Sequence, residues 1–162
     1  MGMEIKCRGS DKALEDTVSL ITDKKWSVNG TVIKVEGNKH TSTVCYTCGL
    51  YPLGFPELIM IGVDLHAGHI ILNMAGDVMR KKGEAYSHGD VCTELASHPT
   101  AFIDVERDEL MGMCHRLFNP GFPALQLVMS DRESRFPWEV GFDEVRMQGQ
   151  VLLGKYVEEV YE

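Results

Sequence analysis

The residues best suited to chemistry lie between Asp131 and Glu139, where DRESRFPWE gathers two arginines, three carboxylates and a tryptophan. A guanidinium is a planar fork that can hold a carboxylate or phosphate through paired hydrogen bonds. An indole offers a flat wall on which a planar ligand or an arginine can stack. In one reading Asp131 orients Arg132 toward an anion, and Trp138 frames the pocket. In the other, Asp131 closes a turn, an Asp–Arg pair stays internal, and Trp138 plugs the edge of the core. Pro137 fixes its own φ and pushes Phe136 into an extended form, so the far end of this stretch is rigid in either case.

Other reactive groups carry less. Cys45-Tyr46-Thr47-Cys48 is a C-x-x-C without a second pair, and residues three apart on a strand face opposite sides of the sheet. His66 and His69, with Asp64 just before them, share one helix face, but they lack H-E-x-x-H spacing and a third strong ligand nearby. No metal site is therefore assigned. The chain has no G-x-S-x-G, P-loop or G-x-G-x-x-G, and no motif implies a cofactor. His88-Gly89-Asp90 reads as a turn. Glu57, Asp104 and Glu139 are carboxylates that only the fold can bring together.

The elements that must position these groups follow from periodicity. The run Ala124–Met129 reads as an apolar strand feeding the charged turn. Val32–Glu36, Thr43–Leu50, Leu58–Val63 and Ala101–Val105 read as further strands, with a final one over Met147–Leu153. Asn29-Gly30 suggests a tight turn or bulge, and Gly37-Asn38 a better turn. Helices are expected near 10–25, 66–82 and 106–118, the first capped by Ser10 with Leu14, Val18 and Ile21 facing inward. In the second, Ala67, Ile70, Ile71, Met74 and Val78 form the expected core face. His66, His69, Asn73, Asp77 and Arg80 form a separate polar stripe. Residues 84–99 read as polar and irregular, and the tail KYVEEVYE as short and acidic. Strands that follow one another without helices before residue 63 predict an α+β fold. It is a single domain over residues 1–162, a mixed, largely antiparallel sheet with about three packed helices.

Composition narrows the function classes. A net charge of −8 opposes nonspecific nucleic-acid binding, which needs many Lys/Arg–phosphate contacts. No apolar run approaches the roughly 18 residues of a membrane span, and the N-terminus lacks the apolar core of a signal peptide. Five cysteines cannot all pair, so reduced thiols and a cytoplasmic location are expected. Homo-oligomerisation stays open.

Four motifs occur in a fixed order: Tyr46-Thr47-x-Gly49-Leu50, then Pro56-Glu57-Leu58, then a helix with Leu72-Asn73, and last Leu125-Gln126-Leu127-Val128-x-x-Asp131-Arg132 with Phe136-Pro137-Trp138-Glu139. In this arrangement the chain, over about residues 26–153, resembles the bacterial and phage family DUF4262, a domain of unknown function. That family carries apolar or small residues where this chain has Cys45 and Cys48, which implies that its chemistry does not use the thiols. The resemblance directs attention to Tyr46, Thr47, Glu57, Asn73, Gln126, Asp131, Arg132 and Trp138. Polar residues where strands meet a core must find partners, so they either form a structural network or line a pocket.

The leading expectation is a domain that binds a small anionic or nucleotide-like ligand in a pocket formed by the YT-x-GL, PEL and DR-FPW segments. The alternative is a hydrolase- or lyase-type enzyme using Glu57, Asp131 or His66 as acid or base. A third is a protein–protein interaction or inhibitor domain.

Overall fold

A computed structural model describes residues 2–34 and 41–156, with side chains from residue 12 onward. β1 (Ser27–Lys34) and β2 (Thr41–Cys48) are rich in Val and Thr, which suit a pleated surface. They pair antiparallel along their full length, from Ser27 opposite Cys48 to Lys34 opposite Thr41. Asn29-Gly30 is neither a turn nor a bulge but lies within β1. Gly30 sits opposite Cys45, and its missing side chain makes room for Leu65, which would stand 3.0 Å from a Cβ there. The expected turn at Gly37-Asn38 and the strand end at Glu36 lie outside the described residues.

β3 (Glu57–Ile61) is buried at every position, as a central strand covered on both faces requires. It runs antiparallel to β2 and parallel to β6 (Ala124–Met129). β6 in turn runs antiparallel to β5 (Thr100–Asp104), and β5 to the two-residue β4 (Val91–Cys92). The order β1-β2-β3-β6-β5-β4 is a mixed, mostly antiparallel sheet, and with three helices it makes the α+β fold expected from the sequence. β4 falls in the stretch read as irregular; two residues are too few for any alternation to show.

The helices cover both faces. α1 (Gly2–Thr22) starts well before Ser10, so that residue lies inside the helix rather than capping it. Leu14 packs against the cluster around Val44, Ile59 and Ile61, whereas Val18 is exposed and Thr17 takes the buried place. α3 (Gly112–Leu117) packs on this same face and is shorter than the expected 106–118. α2 (Leu65–Lys82) lies on the other face, against Cys45, Leu58, Met60 and Leu127. Asp64 caps it by accepting from the Ala67 N–H at 3.1 Å, and Gly83 closes it in the left-handed conformation at φ 68°.

The inward face of α2 differs from the expected one. Its buried residues are Gly68, Ile71, Leu72, Ala75, Gly76 and Met79, while Ile70 and Met74 are 46% and 40% exposed. Reading only large apolar residues rotated the face, because two glycines form its centre. Gly68 lies against the Cys45 sulfur, and a Cβ on Gly76 would stand 2.6 Å from the Trp26 ring. Small residues here let the helix approach the sheet closely.

The expected final strand over Met147–Leu153 is absent from the sheet. Two glutamine side chains hold this segment instead. Gln126 donates to the Val151 carbonyl and accepts from the Leu153 N–H, both at 2.7 Å. Gln150 accepts from the Met129 N–H at 2.8 Å and donates to the Met129 carbonyl at 3.0 Å. A primary amide carries the donor and acceptor of a peptide group, so each glutamine does what a ladder rung would do.

The rotated face of α2 gives a direct test. Met79→Ala should cost about 2–5 kcal/mol as a core truncation, and Met74→Ala should stay within about 0.5 kcal/mol. Urea unfolding of both variants checks this, and a larger loss at Met74 would contradict the packing.

Candidate functional site

Glu57 is fully buried at the start of β3. Its Oε1 accepts from the Thr47 hydroxyl at 2.8 Å and the Leu50 N–H at 3.1 Å, and its Oε2 from the Gly49 and Tyr51 N–H groups at 3.0 Å. The Thr47 hydroxyl in turn accepts from the Leu58 N–H at 2.9 Å. Burial raises the Glu57 carboxyl above its ordinary value of 4.5, outweighing the four donors that act to lower it. Gly49 is needed at the apex of this turn: its φ is +130°, and a Cβ would stand 2.8 Å from the Lys25 carbonyl and Trp26. One carboxylate thus ties YT-x-GL to PEL and fixes the 3-10 turn Tyr51–Leu53 that follows.

That turn forms one wall of the largest described cavity, about 530 Å³. Tyr51 and Phe55 line it from the turn, Tyr86 and His88 from the loop after α2, Asp104 from the end of β5 and Leu125 from β6. Each wall is built firmly. Tyr86 stacks on buried Phe102 at 4.1 Å, and Tyr51 meets Phe118 edge-on at 5.3 Å. The Asp90 carboxylate accepts from the Ser87 N–H at 2.8 Å, closing the turn that presents His88. Desolvation pushes the Tyr86 phenol up to about 12, helped by Cys92, Glu94 and Asp90.

The state of His88 follows from its partners. The Asp104 backbone N–H donates to Nδ1 at 2.9 Å, whereas the Asp104 carboxylate is 3.9 Å from the same atom. The shorter contact needs the Nδ1 lone pair, so the proton of the neutral ring sits on Nε2. A charged His88–Asp104 pair would require the opposite and lacks hydrogen-bond distance. His88 is therefore a donor at Nε2 and not a base held by a carboxylate.

The residues singled out by the sequence have other tasks. The Tyr46 hydroxyl accepts from the Met113 N–H at 3.0 Å, seating α3; burial raises its pKa. Asn73 accepts from the Trp26 indole N–H at 2.9 Å and borders a separate cavity of about 420 Å³ with Lys25 and Arg80. Gln126 holds the 151–153 segment. Asp131 accepts from the N–H groups of Glu133, Arg135 and Asp143, each at 2.9 Å. Burial acts to raise its carboxyl, but these donors and the nearby Arg135 hold it below the ordinary 3.8. Arg135 Nε lies 3.5 Å from Asp131 Oδ2 without hydrogen-bond geometry, so this is a charge contact. Arg135, not Arg132, is thus the partner of Asp131. Arg132 is exposed and lines none of the described cavities. Trp138 stacks on Phe136 at 5.1 Å and Tyr156 at 4.2 Å, and Tyr156 stacks in turn on His88 at 6.2 Å.

Thr47 and Glu57 do meet, as a network beside the turn that walls the cleft, while Tyr46, Asn73, Gln126, Asp131, Arg132 and Trp138 stand apart from it. Cys45 and Cys48 pack in clusters on opposite faces of the sheet, and burial, then Asp64, raises the Cys45 thiol. His66 and His69 are exposed on α2, and Asp64 is occupied as its cap. No group of three or more metal-ligating side chains occurs among the described residues. The sequence reading missed Tyr51, Phe55, Tyr86 and His88 as lining residues. The available signal was the aromatic and proline content of Tyr51–Pro56, a loop too rich in large rings to be only a connector.

A family model described as "Domain of unknown function (DUF4262)" matches residues 21–143. No curated protein and no solved structure matches the chain.

Two predictions follow from these anchors. Glu57→Gln sets a side-chain NH₂ against backbone N–H groups and should cost about 1–3 kcal/mol for each donor left unpaired. Because the folded value of Glu57 is raised, its contribution is complete below 4.5 and is lost as pH rises through that folded value. The stability gap between wild type and variant should therefore narrow as pH climbs above 4.5, read by urea unfolding across pH. At the second anchor, Asp131→Ala should lower the melting temperature and deprotect the Asp143 amide in hydrogen exchange, while Arg132→Ala changes neither. The Asp131 contribution should be present above 3.8 and disappear as pH falls through its lowered value.

Proposed function

The chain belongs to the DUF4262 family, whose description names no activity, and on that premise we propose that it is a small-ligand-binding domain whose ligand occupies the aromatic cleft. The supporting observation is the cleft itself: about 530 Å³, with Tyr51, Phe55 and Tyr86 around it and a donor histidine among its lining residues. A concave, largely apolar space with a few oriented polar groups suits a small molecule. The rings favour an occupant with a flat or compact apolar group, which includes the base of a nucleoside. The anionic part of the expected ligand rested on Arg132, which is not part of this cleft.

A second reading has one observation in its favour, His88 beside Asp104 in the cleft. In a hydrolase- or lyase-type reaction His88 would stabilise a developing oxyanion by a hydrogen bond from Nε2–H. Glu57 and Asp131 are engaged by backbone donors, His66 is exposed on α2, and none of the three lines this cleft.

A thermal-shift screen of nucleosides, nucleotides, amines and other metabolites tests the proposal. A ligand at 100 times its dissociation constant stabilises the native state by about 2.7 kcal/mol. The shift should vanish in Tyr51→Ser, a residue 42% exposed, and persist in Arg132→Ala. A hit abolished by Arg132→Ala and untouched by Tyr51→Ser would place binding at the charged turn and refute the cleft.

A further inference from the structure

The charge of the ligand can be read from the groups around the cleft, on the premise that the cleft is a binding site. We propose that its ligand is a small organic cation, an alkylated ammonium group seated against Tyr51, Phe55 and Tyr86 with Asp104 as counter-charge. No Lys or Arg lines the cleft, Asp104 is its one acidic residue, and the Nδ1 of His88 is taken by the Asp104 backbone N–H. A phosphate or carboxylate placed there would meet a carboxylate among aromatic lining residues, with no guanidinium or ammonium to offset it. A cation meets the reverse. Ring quadrupoles attract it, most strongly for soft, weakly hydrated alkylammonium groups, whose desolvation costs little.

Further acidic groups lie close to Tyr86. Its ring also borders a cavity of about 290 Å³ lined by Asp90, Cys92 and Glu94, with Lys82 as the one cationic residue there. Asp90 and Glu94 place two carboxylates beside Tyr86 against the single cation Lys82. The chain as a whole carries −8, which draws cations toward its surface. The Asp104 side chain is 71% exposed and therefore screened, so the rings do most of the selecting and the carboxylate adds a smaller preference.

Choline and its neutral isostere tert-butylethanol have nearly the same shape and differ in charge; tert-butylacetate supplies an anion of similar bulk. In titrations followed by NMR, choline should perturb Tyr51, Phe55 and Tyr86 and bind about tenfold tighter than tert-butylethanol, with tert-butylacetate weakest. Tyr86→Leu should abolish the preference. Asp104→Asn, an exposed change that leaves the fold intact, should reduce it about twofold and weaken its salt dependence. Equal binding of choline and tert-butylethanol in the cleft would overturn the charge assignment while leaving the small-ligand reading in place. Choline binding that survives both substitutions, or no choline binding at all, would overturn the cation proposal. If tert-butylethanol and the metabolite screen also fail at the cleft, the small-ligand reading falls with it.

Discussion

A carboxylate with no access to water governs this fold. Glu57 stands at the first position of a strand buried throughout, and four donors from residues 47–51 converge on it. An isolated carboxylate in such a place would be strongly unfavourable. The chain must therefore bring Thr47, Gly49, Leu50 and Tyr51 to one point, and that requirement sets the geometry between β2 and β3. The 3-10 turn and the placement of Tyr51 and Phe55 follow from it. The shape of the cleft is thus determined by a residue that does not touch it.

The same device recurs. Asp131 gathers three backbone N–H groups and stabilises the turn after β6, and Gln126 and Gln150 bond the backbone where a strand would otherwise have to pair. In each case a polar side chain at or near a strand satisfies the main chain of an irregular segment. Irregular backbone can then lie against the core without leaving donors or acceptors unpaired. Such anchors leave the surface loops free to carry rings and ionisable groups.

Much of the architecture was legible. Alternation and β-branching located five of the six strands among the described residues, and the absence of helices between the early ones indicated a mixed sheet. The polar residues Tyr46, Thr47, Glu57, Asn73 and Gln126 were recognisable as groups that need partners if buried, but their actual partners were not, because sequence does not show where distant segments return. α2 was misread for another reason: hydrophobic periodicity counts side chains, whereas its contact surface is centred on Gly68 and Gly76, which have none. The cleft was the least legible part. Tyr51, His88, Asp104 and Leu125 come from four separate segments, and no local spacing relates them.

The two glutamines also bear on where this module ends. The family match stops at residue 143, yet Gln126, deep in the matched strand, spends both ends of its amide on Val151 and Leu153. Leu153 is buried against Ile59 and Ile61, and its carbonyl accepts from the N–H groups of Glu106 and Arg107. The matched span and the set of residues that pack together therefore have different borders. A relative whose sequence diverges after the equivalent of residue 143 must supply another segment to occupy that amide, or replace the glutamine itself. Variation at Gln126 should thus travel with variation around Val151 and Leu153.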